Sequence, residues 1–284
     1  PLIVHIADIN EADNLVSSFP EKAGILTEKF WPGPLTIILP KSDIVPGEVT
    51  AGLDTIAIRM PSHPLARKII SLSGVPLAAP SANRSGSPSP TSVCHVIDDM
   101  DGRVKAVVDG GNCTVGVEST VISFAQEKPR LFRPGAVTAE EIEDLIGDIE
   151  IDKAVYTKLD ETIKPSSPGM KYKHYSPHAD VIMVGGDQEE YIDFVKVQCS
   201  REGAYALCYD EDVPFLGAKA LSYGKKDDFS EQARKLFSCF RKLDSMGAEI
   251  IFARVPERTG MGLAVYNRLI RAAGFNFIDL SKRQ

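Results

Sequence analysis

The chain has 284 residues, long enough for a large core and for two domains at roughly 100–200 residues each. Its 43% hydrophobic and 25% charged residues are ordinary globular composition, no apolar run approaches the roughly 20 residues that span a bilayer, and no signal-peptide pattern opens the chain, so a soluble, cytoplasmic protein without a membrane partner is expected. A net charge of −7 excludes a surface that is basic all round. Five cysteines with no C-x-x-C spacing argue against a disulfide framework or a structural zinc site and predict free thiols.

Residues 1–6, Pro-Leu-Ile-Val-His-Ile, are already a strand pattern with His5 near its end, so the chain reads as opening inside an element and as truncated. Residues 10–29 carry helical stretches, Trp-Pro-Gly-Pro at 31–34 breaks them, and 35–39 read as a strand. In the next strand, residues 55–61, Ile56 and Ile58 share one face while Thr55, Ala57 and Arg59 share the other. Thr55 and Arg59 are thus expected in one cleft. A helix beginning near His63 and Pro64 carries Leu65, Ile69, Ile70 and Leu72 as its apolar stripe.

Residues 75–91 run from a short apolar strand into a stiff loop of serines, Asn83, Arg84 and Gly86 set between prolines. Small residues such as Ala79, Ser81 and Ala82 admit a ligand close to the backbone, and hydroxyls, amides and main-chain N–H groups can hold phosphate or carboxylate oxygens. A short helix is expected near 93–97 and a strand over 104–108. Gly111 and Gly116 have phosphate-loop spacing, but Val117 and Glu118 stand where that motif needs Lys and Ser/Thr. Ser119 sits at the mouth of the strand that follows, without the G-x-S-x-G setting of a nucleophile. Arg133 is a second arginine at a strand end, followed by a helix over 138–146 whose Thr138 and Glu141 predict a capping box.

Residues 148–178 read as a linker, basic and aromatic near its end; Pro177 works against the helix that metal binding by His174 and His178 would need. Beyond it, strands over 181–184, 204–209 and 249–253 alternate with helices over 188–197, 229–243 and 264–273. That pattern predicts a small parallel sheet with helices packed on it. Neither Gly185-Gly186 nor Gly260-Met261-Gly262 completes a dinucleotide fingerprint.

Several blocks occur in order: Pro-Leu-Ile-Val-His at 1–5, Trp-Pro-Gly-Pro-Leu-Thr at 31–36, Ile-Ala-Ile-Arg-Met-Pro at 56–61, Ala-Pro-Ser-Ala-Asn-Arg-Ser-Gly at 79–86, Glu-Ser-Thr-Val-Ile at 118–122, Arg-Pro-Gly at 133–135, and Pro-Gly-Met-Lys-Tyr-Lys-His-Tyr-Ser-Pro at 168–177. Together they closely resemble the two-domain threonylcarbamoyl-AMP synthases, over nearly the whole chain. The resemblance implies an α/β fold, with a YrdC-like twisted mixed-sheet domain over 1–147, a linker or lid over 148–178 and a smaller Rossmann-like parallel α/β domain over 179–284. It implies a nucleotidyltransferase that makes threonylcarbamoyl-AMP and pyrophosphate from L-threonine, bicarbonate and ATP with Mg2+, and passes the product to a tRNA threonylcarbamoyl-transferring complex. By motif position it puts His5, Arg59, Ala79 and Ser119 around threonine, and Thr55, Ser81, Asn83, Ser89, Arg133 and Tyr175 around ATP. Arg59 would pair the threonine carboxylate, Arg133 the phosphates, and Tyr175 would close the lid that excludes water. Two other classes compete: a nucleotide- or RNA-binding module without chemistry, and a carbamoyl-transferring relative of the YrdC-like modules in hydrogenase-maturation proteins.

The resemblance also implies a Lys-x-Arg-containing segment ahead of the block at Pro1, contributing to the nucleotide site. The 284 residues alone are therefore expected to be feebly active or inactive, and the longer parent protein active. Robust threonine-dependent pyrophosphate release by the isolated chain would overturn that expectation.

Overall fold

A computed structural model of the chain describes residues 1–158 and 175–282. Its contacts divide it into two compact units, one holding residues 1–81 and 118–158, the other 82–117 and 175–282. The linker residues 159–174, including His174, lie outside the described residues.

The first unit runs β1 (Ile3–His5), α1 (Glu11–Leu15), α2 (Glu21–Phe30), β2 (Leu35–Pro40), α3 (Gly47–Thr50), β3 (Thr55–Arg59), α4 (Pro64–Ser73) and β4 (Leu77–Ala79). After α5 (Val93–Met100), which belongs to the second unit, it resumes with β5 (Thr120–Ser123), β6 (Arg130–Arg133), α6 (Ala139–Ile146) and β7 (Glu150–Ile151). The strands form one mixed sheet in the order β4-β1-β3-β2-β5-β6-β7.

Side-chain alternation gives the sheet two unlike faces. Val4, Ile37, Leu39, Ile56, Ile58, Ile122 and Leu131 point into the large core, against Ala23 and Leu26 of α2 and Ile142 and Ile146 of α6. The opposite face carries only a small apolar cluster of Ile38, Ala57, Val121, Phe132 and Ala154, with Ile3 against it. His5, Thr36 and Arg59 fall in that same alternation as Ile3, Ile38 and Ala57. A register shift between Val121 and Ile122 then sets Arg133 opposite Val121 while Leu131 pairs with Ile122. The extra residue in β6 turns Arg133 away from the large core and onto the face that holds Arg59.

The second unit contains β8 (Asp180–Gly185), α7 (Gln188–Gln198), β9 (Ala204–Cys208), α8 (Val213–Leu216), β10 (Ala220–Ser222), α9 (Phe229–Ser245), β11 (Ile250–Arg254), α10 (Gly260–Ala272) and β12 (Phe277–Asp279). Its five strands are all parallel in the order β10-β9-β11-β8-β12, as the strand–helix alternation predicts. β10 and β12 were not read from the sequence because three residues are too few to show a period. All five cysteines are free, and burial pushes the Cys199 thiol up to about 11 and those of Cys208 and Cys239 up to about 12. No helix among the described residues is long and apolar enough to cross a membrane.

Three expectations are corrected. Residues 104–108 form no strand, and Val104, Val107 and Val108 are exposed. On α4 only Ile70 is buried, while Leu65, Ile69 and Leu72 are exposed. Residues 150–155, read as the start of the linker, instead complete the first sheet: β7 pairs with β6, and Ala154 is buried in the small apolar cluster.

The predicted capping box at α6 is present, Thr138 accepting from the Glu141 N–H and Glu141 accepting from the Thr138 N–H. Thr138→Ala should lower the stability of the protein by about 1 kcal/mol, read as a shifted urea midpoint at constant slope. An unshifted midpoint would mean that α6 is held by its Ile142 and Ile146 packing alone.

Candidate functional site

Strand direction assembles the site from residues far apart in the sequence. β1 runs parallel to β3, β3 antiparallel to β2, β2 parallel to β5, and β5 antiparallel to β6. The carboxyl ends of β1, β3 and β6 therefore meet the amino ends of β2 and β5 along one edge of the sheet. His5, Arg59 and Arg133 are the last residues of the first three strands, while Gly33-Pro34 and Ser119 immediately precede the other two.

Each arginine is fixed by backbone at this edge. Arg59 donates from Nε to the Gly33 carbonyl at 3.0 Å, and the Gly33 N–H in turn bonds the Met60 carbonyl at 2.8 Å. A Cβ on Gly33 would run into the Phe30 carbonyl oxygen, so the Trp-Pro-Gly turn takes this path only with glycine there. Arg133, 6% exposed, donates from Nε to the Ser119 carbonyl at 2.9 Å and from Nη2 to the Ser119 hydroxyl at 3.0 Å. The Ser119 hydroxyl also bonds the Thr36 hydroxyl at 2.7 Å. Just beyond Arg133, Gly135 lies so close to Thr120 that any side chain would collide with it, and Thr120 Oγ1 both donates to the Val137 carbonyl and accepts from the Val137 N–H.

The electrostatics follow from this crowding. Burial, and then the charge of Arg133, push the Arg59 guanidinium down to about 10. Burial, and then the charge of Arg59, lower the His5 imidazole from 6.5, with the Leu77 and Ile3 backbone opposing. Neither is aligned for a hydrogen bond with His5 Nδ1, which is buried without a partner. Because the folded protein binds this proton less readily than the unfolded chain does, the contribution of His5 to stability is fully present above pH 6.5 and is lost as pH falls through its lowered value. Among the described residues the hydrogen bond of the Arg59 guanidinium is the one from Nε, which leaves its terminal nitrogens for a ligand. Two guanidinium groups and a hydroxyl pair suit carboxylate and phosphate oxygens. Such a donor set does not suit a resident cation, and the described residues contain no group of three or more His, Cys, Asp or Glu that could hold one.

The structure thus brings His5, Arg59, Ser119 and Arg133 together. Thr55 shares their face but starts β3, about 13 Å from Arg59 at the rise of an extended strand, so the single cleft expected for the two is not formed by that strand. Ala79 pairs with Ile3 and sits two residues from the level of His5, with Ser81 beyond it, and both are exposed. Asn83, Ser89 and Tyr175 belong to the second unit. There Asn83 Nδ2 donates to the Arg84 and Ser87 carbonyls at 2.9 and 3.0 Å, and its Oδ1 is buried without a partner. Ser89 is buried. Tyr175, expected as part of a lid, is buried with its ring centroid 5.4 Å from that of Phe237 and with the Arg268 guanidinium 5.9 Å over its ring.

Thr36 is the site residue that sequence reasoning missed. Its signal was a lone hydroxyl in the otherwise apolar strand Leu-Thr-Ile-Ile-Leu, where a buried polar group needs a partner. Thr36→Val should cost about 1 kcal/mol of stability by removing the hydroxyl partner of Ser119 and, through it, loosening Arg133. Unchanged thermal unfolding would show that the Thr36–Ser119 contact is idle.

Two family models match the chain in tandem: one described as "Telomere recombination" over residues 1–135, and one described as "Threonylcarbamoyl-AMP synthase, C-terminal domain" over residues 137–274. The threonylcarbamoyl-AMP synthase of Pyrococcus abyssi is 46% identical over 289 residues, covering 99% of this chain and 82% of that protein. That of Bacillus subtilis is 46% identical over 277 residues, covering 96% and 79%. Among solved structures, P. abyssi Sua5 complexed with L-threonine superposes with a TM-score of 0.89 at 44% identity, covering 98% of this chain and 82% of that one. With both halves matched in order and a relative of this identity covered over most of its length, the chain belongs to the threonylcarbamoyl-AMP synthase family.

Proposed function

We propose that this chain makes L-threonylcarbamoyl-AMP and pyrophosphate from L-threonine, bicarbonate and ATP, and that the product then supplies a tRNA threonylcarbamoyl-transferring complex. The observation that carries this reading is the pair Arg59 and Arg133 at one sheet edge, close enough for the charge of one to depress the pKa of the other. The reaction asks a site to hold an amino-acid carboxylate beside a triphosphate and to stabilise charge on phosphorus. The L-threonine bound by the P. abyssi protein supports threonine as the amino acid.

In the first step the threonine amine bonds to the carbon of bicarbonate, water leaves, and a carbamate forms. A carbamate oxygen then attacks the α-phosphorus, the bond from that phosphorus to the bridging oxygen breaks, and pyrophosphate departs with the electron pair. Arg59 takes the threonine carboxylate on its terminal nitrogens, with neutral His5 beside it, and Ala79 belongs to the threonine set that the family resemblance implies. Arg133 meets the phosphates. Ser119 belongs to the threonine set that the family resemblance implies, and its hydroxyl, engaged by Thr36 and Arg133, also holds Arg133 in place. Thr55, Ser81, Asn83, Ser89 and Tyr175 complete the nucleotide set that the family resemblance implies. Magnesium enters on the triphosphate as part of the substrate.

In the full-length protein, pyrophosphate release should require threonine and bicarbonate together. Arg59→Met should lower kcat/KM for threonine roughly a hundredfold, with a much smaller change in the KM for ATP. Nucleotide binding without turnover would instead identify a binding module, and a preference for carbamoyl phosphate over threonine a carbamoyl-transferring enzyme.

A further inference from the structure

The loop that carries Asn83 and Ser89 is held by polar contacts from within the second unit. Arg241, on α9, donates from Nη2 to the Pro88 carbonyl at 2.6 Å and to Asp99 Oδ2 at 2.6 Å, and from Nη1 to Asp99 Oδ1 at 3.3 Å. The side chains are only 15% and 9% exposed. Asp99, on α5, also accepts from the Arg84 N–H at 3.4 Å, and the Ser176 N–H donates to the Gly86 carbonyl at 2.9 Å. Asn83 closes the turn from inside through the Ser87 carbonyl. Residues 84–88 thus hang between α5, α9 and Ser176, beside a cavity of about 140 Å3 that Ser87, Asp99 and Arg241 help to line.

We propose that Arg241 and Asp99 form a latch through which the C-terminal unit positions the nucleotide loop. This rests on the reading that Asn83 and Ser89 contact ATP. Arg241 acts here as a positioning residue: its planar fork engages a carboxylate and a loop carbonyl at once, which a lysine cannot reproduce. The pair is also electrostatically committed. Burial alone would raise the Asp99 carboxyl, yet the hydrogen bond and charge of Arg241, with help from Arg84, hold it below its usual value. At the same time Arg241 Nε is buried without a partner, so the side chain is placed for what its far end holds.

The test uses the full-length protein with Arg241→Met, Asp99→Asn, the double variant, and Asn83→Ala as a control on the nucleotide reading. Each latch variant should raise the KM for ATP roughly tenfold, within the range of ordinary site-to-site coupling, and leave the KM for threonine within about twofold. The double variant should be no worse than either single one, because both remove the same link. Hydrogen exchange in residues 84–88 should quicken in all three. Unchanged exchange there, equal rises in both KM values, or single effects that multiply in the double variant would each overturn the latch. If Asn83→Ala leaves the KM for ATP untouched, the nucleotide reading fails and the proposal falls with it; if only Asn83→Ala raises it, the reading stands and the latch is wrong.

Discussion

Two guanidinium groups are held at one edge of a sheet, each anchored by carbonyl oxygens, and the charge of one depresses the pKa of the other. Like charges in a partly dry setting repel, and nothing about folding rewards their approach. Their positions are fixed by covalent and backbone constraints that cost little once made: the Gly33 turn under Arg59, the register shift that turns β6, and the Gly135 contact with Thr120. An anion placed between them would offset that repulsion. The large core on the opposite face is what makes this arrangement tolerable, because it carries the stability of the unit without the polar residues.

The same constraint explains what the sequence showed and what it hid. Arg59 and Arg133 were visible because a charged residue ending an apolar strand stands out in a period of two, whereas His5 entered only through the family resemblance. Alternation also put Thr55 on the face of Arg59, which is right, but a face extends the whole length of a strand and says nothing of which end a residue occupies. The bulge that re-aims Arg133 left no trace at all, since simple alternation would have sent that side chain into the core. Thr36 was hidden for a different reason: its role is to complete a hydroxyl chain whose other member, Ser119, precedes a strand that is adjacent only in space. The capping box at Thr138 and the parallel sheet of the second unit were legible because each is set by local sequence, within four residues or within one strand–helix repeat. The strand expected over 104–108 and the buried stripe expected on α4 required a neighbour to pack against, and pattern alone does not supply one.

Family boundaries and packing boundaries do not coincide in this chain. By sequence the first family match runs through residue 135, yet residues 82–117 make their contacts with the second unit. A domain border drawn at residue 136 would separate the loop holding Asn83 and Ser89 from Arg241 and Ser176, while keeping Asp99 with a carboxylate that has lost its guanidinium. Leaving a carboxylate partly buried and unpaired is costlier than never forming the pair. Residues 84–88 and 99, encoded in the first match, therefore depend on a guanidinium and an N–H group encoded in the second.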